Sequence, residues 1–327
     1  MIFSGAPLLR ADMALLLHQP HSTFGFFNPT GHTSVYLSRV CAESHVQLRR
    51  CRDGELGVAI SRYNRIAGYD WVAIPIIPYL YAVEHPEQAP AHTDRKSVAE
   101  LRDAYRRNHL RELTPDTEDG VIPKGDWPQL VGAAYDRKIY GFAIETDEAA
   151  DDALIEFFNS RANKRRFNLL FQNCADFSKG MINFYYPKTA KRNIIADIGI
   201  TTPKQISRSL VKFSKRNPDL RFSTFIIPQV SGNIKRSTAV HGVIESLIRS
   251  PKYVVPIAVA SPWAALGGAA AYITGGRFNP EKYASEVLAP ETIEEYLFNF
   301  SDYHNENTFI ADDGEANERE EECTPDT

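Results

Sequence analysis

Residues 30–41 read TGHTSVYLSRVC, an alternating run headed by a glycine and a histidine. Side chains on a β-strand alternate between its two faces. Thr33, Val35 and Leu37 therefore share one face, and His32, Ser34, Tyr36 and Ser38 the other. The period of two predicts a half-buried strand whose first residue, His32, is held on a rigid element among polar neighbours. A lone histidine there is compatible with an incidental surface position, and a nucleophile elsewhere in the fold would give it a task.

A second stretch supplies a nucleophile. Residues 167–187 read FNLLFQNCADFSKGMINFYYP. Phe167 to Phe171 reads extended, Asn173 is a good N-cap, and Cys174 to Tyr185 carries Phe177, Met181 and Tyr185 on one helical stripe that Pro187 stops. A cysteine in the first turn of a helix meets unpaired backbone N–H groups and the positive end of the helix dipole, which favour thiolate over thiol. The plain alternative is a buried structural cysteine. A cysteine at a helix start and a histidine at a strand start divide the labour as papain-like thiol enzymes do.

GHTSVYL followed much later by FQNCADF resembles the circularly permuted branch of the papain-like superfamily, the branch of permuted NlpC-type hydrolases and lecithin retinol acyltransferase-like enzymes. There the histidine strand precedes the cysteine helix, and the likeness covers roughly residues 13–190. FGFFNPTGHTSVYL and LLFQNC also look like the bacterial lipoprotein acyltransferase group of that branch. The resemblance implies an α+β, permuted papain-like fold with an antiparallel sheet packed against helices. It implies Cys174 as nucleophile, His32 as general base and acid, and a third polar residue on the following strand that orients the imidazole. His45 fits that place, with Glu43 as a rival. Gln172 or Tyr36 could join the backbone N–H of Cys174 in an oxyanion hole. No cofactor and no metal is implied, and the substrate would be a peptide, a cell-wall fragment or a lipid.

A chain of 327 residues, 43% hydrophobic and 11% aromatic, can bury a substantial core. Residues 301–327 hold ten acidic side chains against Arg319 alone and read as an acidic disordered tail, so the preceding 300 residues carry about +5 of the overall −4 balance. So mild an excess does not suggest a nucleic-acid partner. The four cysteines, Cys41, Cys51, Cys174 and Cys323, contain no CxxC pair. Cys41 and Cys51 could close a hairpin as a disulfide if the protein is exported, or stay free thiols if it is not. An alternative structural module would hold zinc on His32, Cys41, His45 and Cys51; another would be a binding module without catalysis on the same fold. GAPLLRA near the start resembles the last third of a secretory signal, which favours an exported or envelope-associated, periplasmic location.

Other segments read as follows. YDWVAIPIIPYLYAV is a β-rich run confined by Pro75 and Pro78, and SVAELRDAYRRNHLREL is a helix boxed by Ser97 and Glu100. Thr146 caps a helix through DEAADDALIEFFNSRA. Thr202 with Pro203 and Gln205 begins another, whose Lys204, Arg208, Lys212 and Lys215 face water or an anionic surface, and residues 191–252 form a basic helical extension. Residues 253–276 carry no charge. They fit a membrane span or a hydrophobic hairpin buried in the core, and so a possible membrane association.

Overall fold

The computed structural model describes residues 12–21, 30–64, 66–164 and 167–301. A seven-stranded sheet runs through it in the order β11-β9-β8-β1-β2-β5-β6, with β5 at Val58–Ser61 and β6 at Val72–Pro75, antiparallel except where β11 (Glu286–Val287) joins β9 (Phe222–Ile227); β7 (His92–Thr93) and β10 (Ser231–Gly232) form a short separate pair. Its centre is β1 (Met13–His18), paired over all six residues with β2 (His32–Leu37) on one side and β8 (Ile139–Ile144) on the other. All six residues of β1 are buried, because helices cover both faces of the sheet. The architecture is thus the expected α+β arrangement of a mostly antiparallel sheet against helices.

The alternation along β2 sorts the two layers. On one face Leu15, Val35, Leu37 and Phe142 pack on α5 (Cys174–Tyr185) through Ala175, Phe177, Met181 and Ile182, and on α6 (Pro203–Arg216) through Ile206 and Leu210. On the other, Ala14, Leu16 and Tyr36 meet Tyr79 and Leu80 of α1 (Ile76–Tyr81), Tyr105 of α2 (Arg95–His109), and Ala134 and Tyr135 of α3 (Ala133–Asp136). Gly31 opens β2 at φ +75°, where a Cβ would lie 2.2 Å from the His18 carbonyl oxygen. Only glycine lets the strand enter this close to β1.

The helix of Asn173 and Cys174 begins and ends where the sequence predicts, and Thr202 caps α6 by accepting from Gln205 N–H. Elsewhere the caps shift. Asp94, not Ser97, caps α2, with Ser97 as its reciprocal partner. Asp147, not Thr146, caps α4 (Glu148–Asn159), because the Thr146 hydroxyl lies against Arg39 and Asp151. The run after Trp71 changes from β6 (Val72–Pro75) to helix at Ile76, since an apolar run without clear period fits either state. Residues 167–171 form a tight turn bridged between Asn168 and Gln172 rather than a strand.

Residues beyond 190 are no appended extension: β9 pairs with β8 over six residues, and α6 completes the core layer beside α5. Lys204 does not face water. It is buried with Glu245 of α7 (Val243–Arg249), its ammonium 2.5 Å from the carboxylate. Nor are residues 253–276 buried in the core. They make two short helices, α8 (Pro251–Ala260) and α9 (Pro262–Ala271), and α8 contributes no buried residue. No helix among the described residues is long and apolar enough to cross a membrane. Residues 1–11, with most of the signal-like start, and 302–327, with the acidic tail and Cys323, lie outside the described residues.

Candidate functional site

Cys174 opens α5, where Asn173 accepts from Asp176 N–H through its side-chain oxygen and donates to the carbonyls of Leu169 and Thr201. The cap therefore fixes both the helix start and the chain on either side of it. The half-buried thiol lies against Thr33, the second residue of β2. Burial pushes it above the usual thiol range, opposed by the backbone N–H and hydroxyl of Thr33 and the backbone N–H groups of Ala175 and Cys174. Ser178, one turn further along α5, donates to the same Thr33 hydroxyl at 3.0 Å, which locks the helix to the strand.

His32 stands next to Thr33 and turns to the opposite face. Its Nε2 is 2.9 Å from Ser61 Oγ on β5 (Val58–Ser61), and its ring stacks on Tyr63 at 5.2 Å. Ser61 Oγ gives its only proton to the Thr33 carbonyl at 2.8 Å, so the imidazole must donate through Nε2. This selects the Nε2–H tautomer and leaves Nδ1 as the basic nitrogen. Burial, then the Arg137 guanidinium and His21, hold the ring down to about 3.

Behind His32 lies a buried polar cluster. His18 faces it across β1 and β2 with ring centres 5.6 Å apart, and shares Ser34 Oγ with the Tyr79 hydroxyl, at 3.1 and 2.9 Å. Burial first, then Arg137, His32 and His21, push His18 far down. Arg137 is only 8% exposed and bonds His21 Nε2 at 2.8 Å, with no carboxylate pair among the described residues. The neighbouring Asp136 carboxylate is held by Arg102. Cys174 bears electrostatically on Tyr63 and Tyr79, which flank His32 and His18, so the thiol borders this cluster.

Cys174 thus lies against Thr33 while His32, the neighbouring residue on the strand, turns its ring to the other face, and no hydrogen bond joins the two among the described residues. The structure does not bring His45 there. His45 Nδ1 and Nε2 lie 3.2 and 2.7 Å from the carbonyls of Ala73 and His109, and Ala73 is on β6, separated from β2 by β5. The thirteen-residue spacing places His45 in the turn between β3 (Val40–Ser44) and β4 (Gln47–Arg50), a hairpin that forms its own small sheet instead of continuing the large one. Glu43 is likewise absent from the site, half-exposed and paired with Arg49. The Tyr36 hydroxyl donates to the Leu56 carbonyl at 2.6 Å on the face away from α5, which removes it as an oxyanion donor. Gln172 sits in the turn just before the cap.

Ser61, missed by sequence reasoning, is the imidazole's partner. Its only signal was its place at the end of VAIS, and nothing in that run says that β5 rather than the next strand in sequence lies beside β2. The zinc set is excluded by chemistry: Cys41 and Cys51 are joined as a disulfide, S–S 2.07 Å, and are spent on each other. No protein-family model, no curated protein and no solved structure matches the chain.

Proposed function

We propose that the chain is a cysteine-dependent hydrolase or acyltransferase of permuted papain-like type, acting on an ester or amide through an acyl-enzyme on Cys174. The observation that supports it most is a half-buried helix-start thiol against Thr33, beside a histidine whose tautomer is fixed with Nδ1 as base. Both groups rest uncharged, the thiol pushed up and the imidazole down, so the reactive pair is formed only as substrate is attacked.

In that step the Sγ–carbon bond forms while the thiol proton passes to His32 Nδ1, directly or through one bridging water. The carbonyl electron pair moves onto oxygen and is met by N–H groups at the start of α5. Collapse expels an alcohol or amine, which takes the proton from His32 and leaves a thioester. Water in hydrolysis, or an acceptor amine or alcohol in transfer, then gives its proton to His32 as it attacks the thioester, and the thiol is reprotonated as it leaves. The Cys41–Cys51 disulfide supports an exported location, since such bonds persist in oxidising compartments.

The test is intact-mass analysis after incubation with a panel of p-nitrophenyl esters of increasing chain length. The expected result is one acyl adduct, mapped to Cys174 and absent from Cys174→Ala. An unmodified wild-type chain with all esters, or equal ester turnover by Cys174→Ala, overturns the reading.

A further inference from the structure

Helices α8 and α9 turn back on each other at Ser261 and end in one wide helical turn, Tyr272–Gly276. From Tyr253 to Gly276 there is no charged residue. Val259 is 81% and Trp263 83% exposed, with Tyr253, Val255, Leu266 and Ile273 also open to solvent. A folded surface rarely leaves so much contiguous apolar area without a partner.

The base of the hairpin is firmly held. Gly268 packs near Ile244 and Ile248 of α7, Ala271 is buried, and the Tyr272 hydroxyl donates to Glu245 at 3.1 Å. The tip, by contrast, is open at Val259 and Trp263 and is braced by local hydrogen bonds at Ser261. Ser261 N–H donates to the Ile257 carbonyl and Ser261 Oγ accepts from Ala264 N–H, while Pro262 removes one donor. Pro256 deprives only the Lys252 carbonyl, back at the base, of its helical partner.

Around the foot, Glu245 is paired with Lys204 and Arg249 and Asp197 lines the same recess, while five further basic side chains lie nearby. Arg208, Lys212 and Arg216 lie one turn apart along α6, and Arg208 shares a recess with Gly276 at the hairpin's foot. Lys252 and Arg277 bracket the uncharged run, Lys252 with its ammonium 5.6 Å from the Tyr253 ring centre. None of these five has a carboxylate partner among the described residues. Aromatic and basic side chains at the foot of an apolar element are the pattern of a membrane interface.

We propose that the α8–α9 hairpin is a monotopic anchor that enters one leaflet of an anionic phospholipid bilayer, with Arg208, Lys212, Arg216, Lys252 and Arg277 at the headgroups. A ten-residue helix is roughly 15 Å long, about half a bilayer's hydrocarbon core, so the hairpin reaches into one leaflet without crossing. A second copy of the chain is the poorer occupant, since its own basic rim would face this one.

The full chain is to be floated with vesicles of phosphatidylcholine alone and of phosphatidylcholine with phosphatidylglycerol. Trp71 and Trp127 are buried, so a shift in tryptophan emission reports Trp263. Expected are co-flotation with the anionic vesicles at least tenfold tighter than with the neutral ones, weakening with salt, and a blue shift. Val259→Asp, at a position with no packing to lose, should abolish both, and Arg208→Glu with Lys212→Glu should weaken binding about tenfold or more. Cys174→Ala should bind as wild type, which separates this result from the catalytic reading. The proposal is overturned by absence of binding to both vesicles, by equal binding to the two, by Val259→Asp binding like wild type, or by self-association that Val259→Asp abolishes without vesicle binding.

Discussion

Ser61 decides the chemistry of His32, because a hydroxyl already donating to a strand carbonyl can only accept from the imidazole. Ser61→Ala removes that constraint and should lower kcat roughly 10- to 100-fold with KM little changed, whereas His45→Ala should leave kcat near wild type. Steady-state kinetics on whichever ester acylates Cys174 compares them, and the reverse order would restore His45 as the orienting residue. The pH profile tests the electrostatics independently. A base held down to about 3 stays neutral far below the ordinary histidine range, so the acid limb of kcat/KM should fall near 3 rather than near 6.5. Arg137 pushes His32 down by its positive charge, so Arg137→Gln should move that limb upward; an unchanged limb would show that the guanidinium does not act on the base. Alkylation of Cys174 by iodoacetamide should be slow at neutral pH and accelerate only at pH above the ordinary thiol range, since burial raises the thiol.

At the scale of elements, the start of α5 is fixed chiefly by its cap. Asn173 caps the helix and also ties it to Leu169 and Thr201, so Asn173→Ala should cost about 1–2 kcal/mol in a urea melt and lower the acylation rate of Cys174 as well. Loss of stability without loss of acylation would make the cap merely structural. The β3–β4 hairpin carries the disulfide across ten residues with Cα atoms 4.8 Å apart, and replacing both cysteines by serine should destabilise by about 2–3 kcal/mol on the chain-entropy view. The strand of His32 and the helix of Cys174 were legible in sequence because each carries a clean period and a boundary signal in adjacent residues. What lay beyond reach was lateral order. That β5 rather than β3 lies beside β2 depends on long-range pairing, so Ser61 was invisible and His45 was misplaced. The hairpin at 253–276 was ambiguous for another reason: an uncharged run has the same composition whether it faces core, lipid or water.

Over the whole molecule, folding packs three imidazoles, the buried His18 and the half-buried His21 and His32, around one arginine that has no carboxylate partner among the described residues. Each is held below its ordinary value, to about 4 for His21 and about 3 for His32, with burial the largest cause. In the unfolded chain they protonate near 6.5, so on acidification the unfolded state takes up protons first. Their contribution to stability is therefore fully present above about 6.5 and declines as pH falls toward 4 and then 3. Each histidine adds up to about 1.4 kcal/mol per pH unit to the slope. The window between pH 6.5 and 5 lies above the ordinary titration of carboxylates, so histidines dominate it. Urea melts across that window should show stability falling steadily with pH, and His32→Gln should remove about one proton from the slope whatever it does to the absolute value at pH 7. A flat profile between pH 7 and 5 would mean that water or an anion reaches the cluster and lets the rings protonate without unfolding.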